Sequence, residues 1–461
     1  MKQHHFLIIS LPAQGHINPT LQLTKNLARA GVRCTFATTV YGFHKMNNLP
    51  TIDGLIYASF SDRYDDNMPK TNFGDYLQEL KRVGSENIKK LVQQFSDDGH
   101  PVTFFVYTML CPWVAEVARE CNAPSAFLAI QCATAFAIYH HLFTINDNGV
   151  YSSNTEINPS FPMELPELPL FSRDDIPTFL LHGDPSSSFM IPVMREHIQN
   201  LEHDPNPRVL INSFDALEEK SMTILEKIGI CSIGPLIPSA FCDGKDVEDK
   251  SFGCDLFAKT EDYWEWLDSK AEGSVVYVSF GSLAVLKEEQ KEEVLQGLLE
   301  SERPFLWVIR SSNEDGENKK ENDELNGKGM IVSWCSQMEF SDQVTNIKMV
   351  AEVWGTGVRA RAEEGIVKRE ELKSCLEILM GDGERGKEIR SNVKNYRGLA
   401  MDAVKVGGEV YRSTMFEQLV AFKLWLDKVK KEAKGDMFAE QLKFGSNVVI
   451  DQDKAESSKT H

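Results

Sequence analysis

At 461 residues the chain exceeds what one ordinary hydrophobic core accommodates, and 42% apolar residues suffice for two or three domains. A formal net charge of −19 excludes the clustered cations that nucleic-acid binding needs, and no run of eighteen apolar residues exists to span a membrane. Nine cysteines stand singly with no CxxC pair, which argues against a zinc site or disulfide framework and for a reduced, cytoplasmic protein; the N-terminal apolar stretch is too short for a signal-peptide core.

In chain order, Phe6, Leu7, Ile8 and Ile9 form a short continuous apolar run, the pattern of a buried parallel strand. The stretch LPAQGHINP, residues 11–19, then leads into a helix over 20–30, with Asn18 as N-cap and Pro19 at the first helical position. His16 is thereby placed in the turn after the strand, where ligands of open α/β sheets bind and where a proton acceptor working near neutral pH would stand. A loop histidine bonded to the backbone fits the same spacing. Gly31 reads as the helix C′ residue and 32–39 as the next strand. Helically spaced apolar residues run from Phe73 to Val83 and from Ile88 to Phe95, with Gly84 between them. Residues 102–110 and 125–130 read as strands around a helix at 113–121, and 149–177 as a long surface loop. Short strands at 209–212 and 231–233 close this half, and 235–254 has a linker's composition.

The second half repeats the plan. Strands are expected at 274–280, 305–310 and 330–334, a helix at 288–300, and a charged loop at 312–328. Val344, Ile347, Ala351 and Trp354 share one face of a further helix; apolar stripes at 372–379 and 389–403 mark two more. Two Rossmann-like halves result.

The motifs PAQGHINP (12–19), VVYVSFGS (275–282), RPFLWVIR (303–310), WCSQ (334–337), SDQVTNIK (341–348) and VWGTGVRA (353–360) together resemble the plant UDP-dependent glycosyltransferases, especially the anthocyanin 5-O-glucosyltransferase and crocetin glucosyltransferase type. The resemblance spans about residues 1–410. It implies the GT-B fold of two facing Rossmann-like domains: 1–240 for the acceptor, a linker at 241–260, and 261–432 for the UDP-sugar, with 433–461 an atypical tail. It implies His16 as catalytic base and, at the position where many relatives carry an aspartate, Thr108 as its partner; a threonine accepts a hydrogen bond but cannot stabilise an imidazolium by charge. For the donor it implies Trp334 stacked on uracil, Gln337 on the uridine, Ser282 on the diphosphate side, and Asp342 and Gln343 on the sugar hydroxyls. The implied chemistry is inverting transfer from UDP-glucose, a co-substrate, to a hydroxyl or carboxyl of a small lipophilic metabolite such as a flavonoid, anthocyanin or apocarotenoid. Neither metal nor cofactor is implied. Phe136, Tyr139 and His140 fit an acceptor cleft and an ordinary helix core equally well.

One departure from the family is large. Only Met338, Glu339, Phe340 and Ser341 separate Gln337 from Asp342, where the family carries roughly thirty more residues, two further βα units when one βαβ crossover alone takes at least about 10–12. That block holds the HCGWNS segment, whose backbone amides cradle the diphosphate at a helix N-terminus. Its loss predicts a second domain short of two βα units, an apolar edge on the strand at 275–280, and impaired transfer. The alternative expectation is a non-catalytic homologue that binds an acceptor or a partner.

Overall fold

The structure, a computed structural model, describes residues 4–67, 72–145, 161–180, 189–241, 263–271, 273–280, 286–309, 325, 327–332, 343–363 and 365–404. Seven strands of the first half are β1 (His5–Ile9), β2 (Arg33–Thr39), β3 (Leu55–Phe60), β4 (Phe104–Thr108), β5 (Ser125–Ala129), β6 (Val209–Ile211) and β7 (Ile230–Ser232). They form one parallel sheet in the order β3-β2-β1-β4-β5-β6-β7. Every residue of β1 and β4 is buried, which is why both read as unbroken apolar runs: helices cover both faces. The order of the strands turns at β1 and β4, so their carboxyl ends flank the crevice where such sheets place their ligands.

The second sheet contains β8 (Val276–Ser279), β9 (Phe305–Val308) and β10 (Gly329–Val332), parallel and in the order β10-β9-β8. Among the described residues β8 pairs with β9 alone. One face packs Phe305, Trp307 and Ile331 against Val294 and Leu298 of the helix Glu288–Glu300 and Leu376 of Arg369–Met380; the other packs Leu306, Val308 and Val332 against Tyr263. Both sheets belong to one compact unit, residues 1–405.

Several local expectations are corrected. The first helix spans Gln14–Arg29 rather than starting after Pro19, with Ala13 as N-cap. The amides of His16 and Ile17 both donate to the Ala13 carbonyl at 2.9 Å, while the Asn18 side chain accepts from Gln14 Nε2 at 2.6 Å instead of capping. Pro19 sits inside, where it forfeits the one bond its amide would have made to Gly15. His16 therefore belongs to the first helical turn, not to a turn ahead of it. Gly31 follows the helix with φ +84°, the left-handed geometry of a C′ glycine.

The two apolar groups around Gly84 lie on one continuous helix, Phe73–Asp97. Gly84 is needed there because a Cβ would stand 3.0 Å from the Trp113 ring. The part of the expected surface loop that is described, 161–177, runs along the surface but sends Met163, Leu165, Phe171, Asp175 and Ile176 into the interior. Met163 and Phe171 exchange both backbone hydrogen bonds, and Ser172 with Asp175 caps a turn of 3-10 helix, Arg173–Asp175.

In the second half, helix Gln343–Lys348 passes into a π-helical turn, Met349–Val353. Its buried side carries Thr345, Lys348 and Met349, whereas Ile347, expected on the inner face, is 39% exposed. No strand forms near Val358. Of the expected linker only Phe241 is described; the charged loop lies outside the described residues except at its end, where Leu325 is buried, and the tail lies wholly outside them.

Candidate active site

His16 comes forward because β1 ends at Ile9 and the helix begins at Gln14, setting the third helical residue just beyond the sheet's carboxyl edge. Thr108 is the last residue of the neighbouring strand β4. The switch point thus brings together residues 92 apart in sequence: His16 Nδ1 lies 3.1 Å from Thr108 Oγ1, both buried. The Thr108 carbonyl accepts from the Cys111 amide at 2.9 Å. Where Nδ1–H donates to Thr108 Oγ1, Nε2 is the basic nitrogen.

Burial lowers the His16 pKa to about 4, so the imidazole is neutral at pH 7. His197, in the same lobe, is lowered to about 4 by burial despite the Met109 carbonyl that accepts its Nε2–H; it stacks on Phe127 at 4.0 Å. Both stay neutral in the folded protein down to about pH 4 and are protonated below about 6.5 when unfolded. The unfolded chain therefore binds more protons in that window, and stability is lost as pH falls through it, by on the order of 3 kcal/mol for each histidine. Urea denaturation at pH 7, 6 and 5 is expected to show this slope, and the double variant His16→Gln, His197→Gln to flatten it; a flat wild-type profile would refute the assignment. A second expectation concerns Thr108→Asp, which sets a carboxylate beside Nδ1 and should raise the His16 pKa by about one to three units, read from imidazole chemical shifts. An unchanged titration would show that the two side chains do not interact.

Among the donor-side candidates, Ser282, Trp334, Gln337 and Asp342 lie outside the described residues; Gln343 opens the helix Gln343–Lys348, and only its backbone is described. Phe136 and Tyr139 are fully buried on the helix Ala133–Ile145, with Phe136 against Phe127 at 5.6 Å and Tyr139 against Phe179 at 5.6 Å. They are core residues; His140 is half-buried. Among the described residues no cluster of His, Cys, Asp or Glu could hold a metal, and no helix is long and apolar enough to cross a membrane.

Two buried carboxylates escaped sequence reasoning. Glu218 accepts from the amides of Ala133 and Thr134, both at 3.0 Å, and from the hydroxyls of Thr134 at 2.9 Å and Ser213 at 2.6 Å, so it caps the helix Ala133–Ile145 from 85 residues away. Asp175 faces Lys348 at 3.2 Å and Arg359. Burial opposes its ionisation, yet hydrogen bonds from Ser172, Arg359 and Lys348 outweigh this and hold its pKa at about 2. The one signal in the sequence for Asp175 was a partner cation, Lys348, lying between the apolar residues Ile347 and Met349.

UDP-glycosyltransferase 75C1 of Solanum lycopersicum is 42% identical to this chain, over 88% of the chain and 96% of that protein. The chain belongs to the plant UDP-glycosyltransferases. Among its other relatives in the family are the phloretin 4'-O-glucosyltransferase of Malus domestica, 43% identical over 88% of this chain and 95% of the relative, and the crocetin glucosyltransferase of Gardenia jasminoides, named as chloroplastic, 41% identical over 88% and 95%. The solved structure of Os79 from O. sativa in complex with UDP superposes on this UDP-glycosyltransferase with a TM-score of 0.76 at 28% identity, covering 91% of this chain and all of that one. The fold is accordingly α/β of the GT-B type. No family model matches the chain.

Proposed function

We propose that this glycosyltransferase moves glucose from UDP-glucose to a hydroxyl or carboxyl of a small lipophilic plant metabolite with inversion, and that it does so weakly. The observation that carries the reading is the His16–Thr108 pair, 3.1 Å apart at the switch point of a chain 42% identical to a UDP-glycosyltransferase. His16 Nε2 takes the acceptor's proton, the acceptor oxygen bonds to the anomeric carbon, and the bond from that carbon to UDP breaks on the opposite face. A buried imidazole with no carboxylate beside it is a weak base. Phenols and carboxylic acids, which part with a proton more readily than aliphatic alcohols, suit it best. Two relatives in the family are named for glucosylation of phloretin and of crocetin.

Trp334, Gln337 and Ser282 hold UDP in this reading, Asp342 and Gln343 the sugar. Neither metal nor cofactor takes part, and the domains divide at 1–240, 241–260, 261–432 and 433–461. Cytoplasmic residence is supported by six described cysteines that are all free thiols. Weak transfer follows from the four residues between Gln337 and Asp342. In support, the alignment with the Solanum relative runs over 455 positions yet takes in 88% of these 461 residues, about 406, so some fifty positions find no counterpart here.

The test is to incubate the purified protein with UDP-glucose and either phloretin or an aliphatic alcohol, following UDP release and the glucoside. Slow glucosylation of the phenol alone is expected. Acceptor binding by calorimetry with neither UDP binding nor product formation would overturn the transferase reading in favour of a binding protein.

A further inference from the structure

Lys348 is a cation enclosed to 7% exposure, and its buried partner, Asp175 at 3% exposure, belongs to the other lobe. The surroundings of the pair are built on both sides. On the first lobe, the Ser172 amide and hydroxyl donate to Asp175 Oδ2 at 2.8 and 2.6 Å, and the Met163–Phe171 bridge anchors the loop just before it. On the second, Thr345 Oγ1, fully buried, donates to the Asp175 main-chain carbonyl at 2.9 Å. Arg359 splits its guanidinium between Asp175 Oδ1 and the Asp174 carbonyl, the latter at 2.8 Å. Lys348 also meets Glu352 at 2.9 Å and stands 5.9 Å from the centre of the Phe171 ring.

One residue therefore gathers three side chains of the segment 345–359: Lys348 and Arg359 on its carboxylate and Thr345 on its main-chain carbonyl. That segment continues directly from Asp342 and Gln343, and Gln343 and Lys348 are the two ends of one short helix, about 7.5 Å apart along its axis at 1.5 Å per residue. Removing the carboxylate's charge would leave Lys348 and Arg359 facing each other across the contact with only the half-exposed Glu352 to offset them, and a buried pair broken on one side is strongly unfavourable.

We propose that Asp175 is a positioning residue for the sugar half of the donor: by bonding Thr345, Lys348 and Arg359 it fixes the helix Gln343–Lys348 and the residues after it against the lobe that carries His16. This rests on the reading that Asp342 and Gln343 hold the glucose hydroxyls. The clasp touches nothing expected to contact uridine, so its loss should separate the sugar from the nucleotide.

The experiment measures dissociation constants of the full chain for UDP-glucose and for UDP by ligand-observed NMR up to tens of millimolar. It compares wild type with Asp175→Asn, Lys348→Met and Asp175→Glu, and records amide hydrogen exchange over 343–353 for each. Asp175→Asn and Lys348→Met are expected to weaken UDP-glucose by about tenfold, which is 1.4 kcal/mol, while UDP changes by less than about twofold. Asp175→Glu should recover most of the loss, and exchange in the segment should speed up only in the first two variants. Equal weakening of both ligands, or an unchanged UDP-glucose constant despite faster exchange, would overturn the positioning role and leave the donor assignment standing. Wild-type protein that binds neither ligand would overturn the donor assignment itself, and this proposal with it.

Discussion

Inserting between Gln337 and Asp342 the roughly thirty-residue block that the family resemblance implies there is expected to raise glucosyl transfer by at least about 10²–10³-fold. The reason is electrostatic. As the bond to the anomeric carbon breaks, negative charge grows on the leaving diphosphate, and preorganised amides at a helix N-terminus are the groups that stabilise it. Deleting a single such donor in other enzymes costs about 10²–10³ in turnover, and on the proposed reading the four-residue gap stands where a whole cradle and the helix that aims it would be. In the repaired protein His16→Ala should then cost about 10²–10⁴-fold, the range of general-base catalysis, whereas in the protein as it stands the same substitution should change little because the donor side limits the rate. Turnover is measured as UDP release with phloretin as acceptor. Native turnover equal to that of the Malus relative would show that other groups already serve the diphosphate, and an inactive insertion variant that binds UDP-glucose tightly would place the defect elsewhere.

Glu218→Ala should be among the most damaging single changes to stability, about 3–5 kcal/mol, because it strands three buried donors at once, the Thr134 hydroxyl alone keeping a second partner in Ser221 Oγ at 2.7 Å. The amides of Ala133 and Thr134 head the helix Ala133–Ile145, and the hydroxyls of Thr134 and Ser213 also turn toward the carboxylate. None of the four can reach water, since Thr134 and Ser213 are buried with Glu218 itself. Glu218→Gln keeps an acceptor oxygen but turns the other end into a donor aimed at donors, so it should cost about 1–3 kcal/mol. Urea midpoints read against wild type measure both. A loss below about 1 kcal/mol for the alanine variant would mean that the helix end finds another cap.

These two carboxylates mark the boundary of what the sequence discloses. The strands at 5–9, 104–108, 125–129 and 305–308 were legible because burial on both faces makes them continuous apolar runs. β3 was not: its residues are mostly half-buried, so LIYASF carries neither a continuous run nor a clean alternation. The helix Ala133–Ile145 was legible as a helix but not in its inner face, since a helix apolar on nearly every side shows no stripe. Residues 161–177 look like a surface loop by composition, and many are exposed, yet their backbone is tied by a bridge and a capped turn and Met163, Leu165, Phe171 and Ile176 go inward while Leu170 stays outside. Around Lys348 the apolar residues suggested the wrong face, because the side that packs is held by an ion pair to a loop 173 residues earlier, which no helical periodicity encodes. The meeting of His16 and Thr108 was inferred from family likeness; the chain's own pattern supplied only the place, the end of a strand at the switch point.

The strand order also has a consequence for how the chain is made. All seven strands of the first sheet are complete by Ser232, and none of them pairs with a strand made later. On a ribosome adding about 5–20 residues per second, the first sheet has every strand partner it needs before β9 or β10 has been synthesised, while the carbonyls of Asp174, Asp175 and Leu217 wait for Arg359, Thr345 and Trp354. A lesion confined to the second lobe therefore comes too late to disturb the pairing of the first sheet.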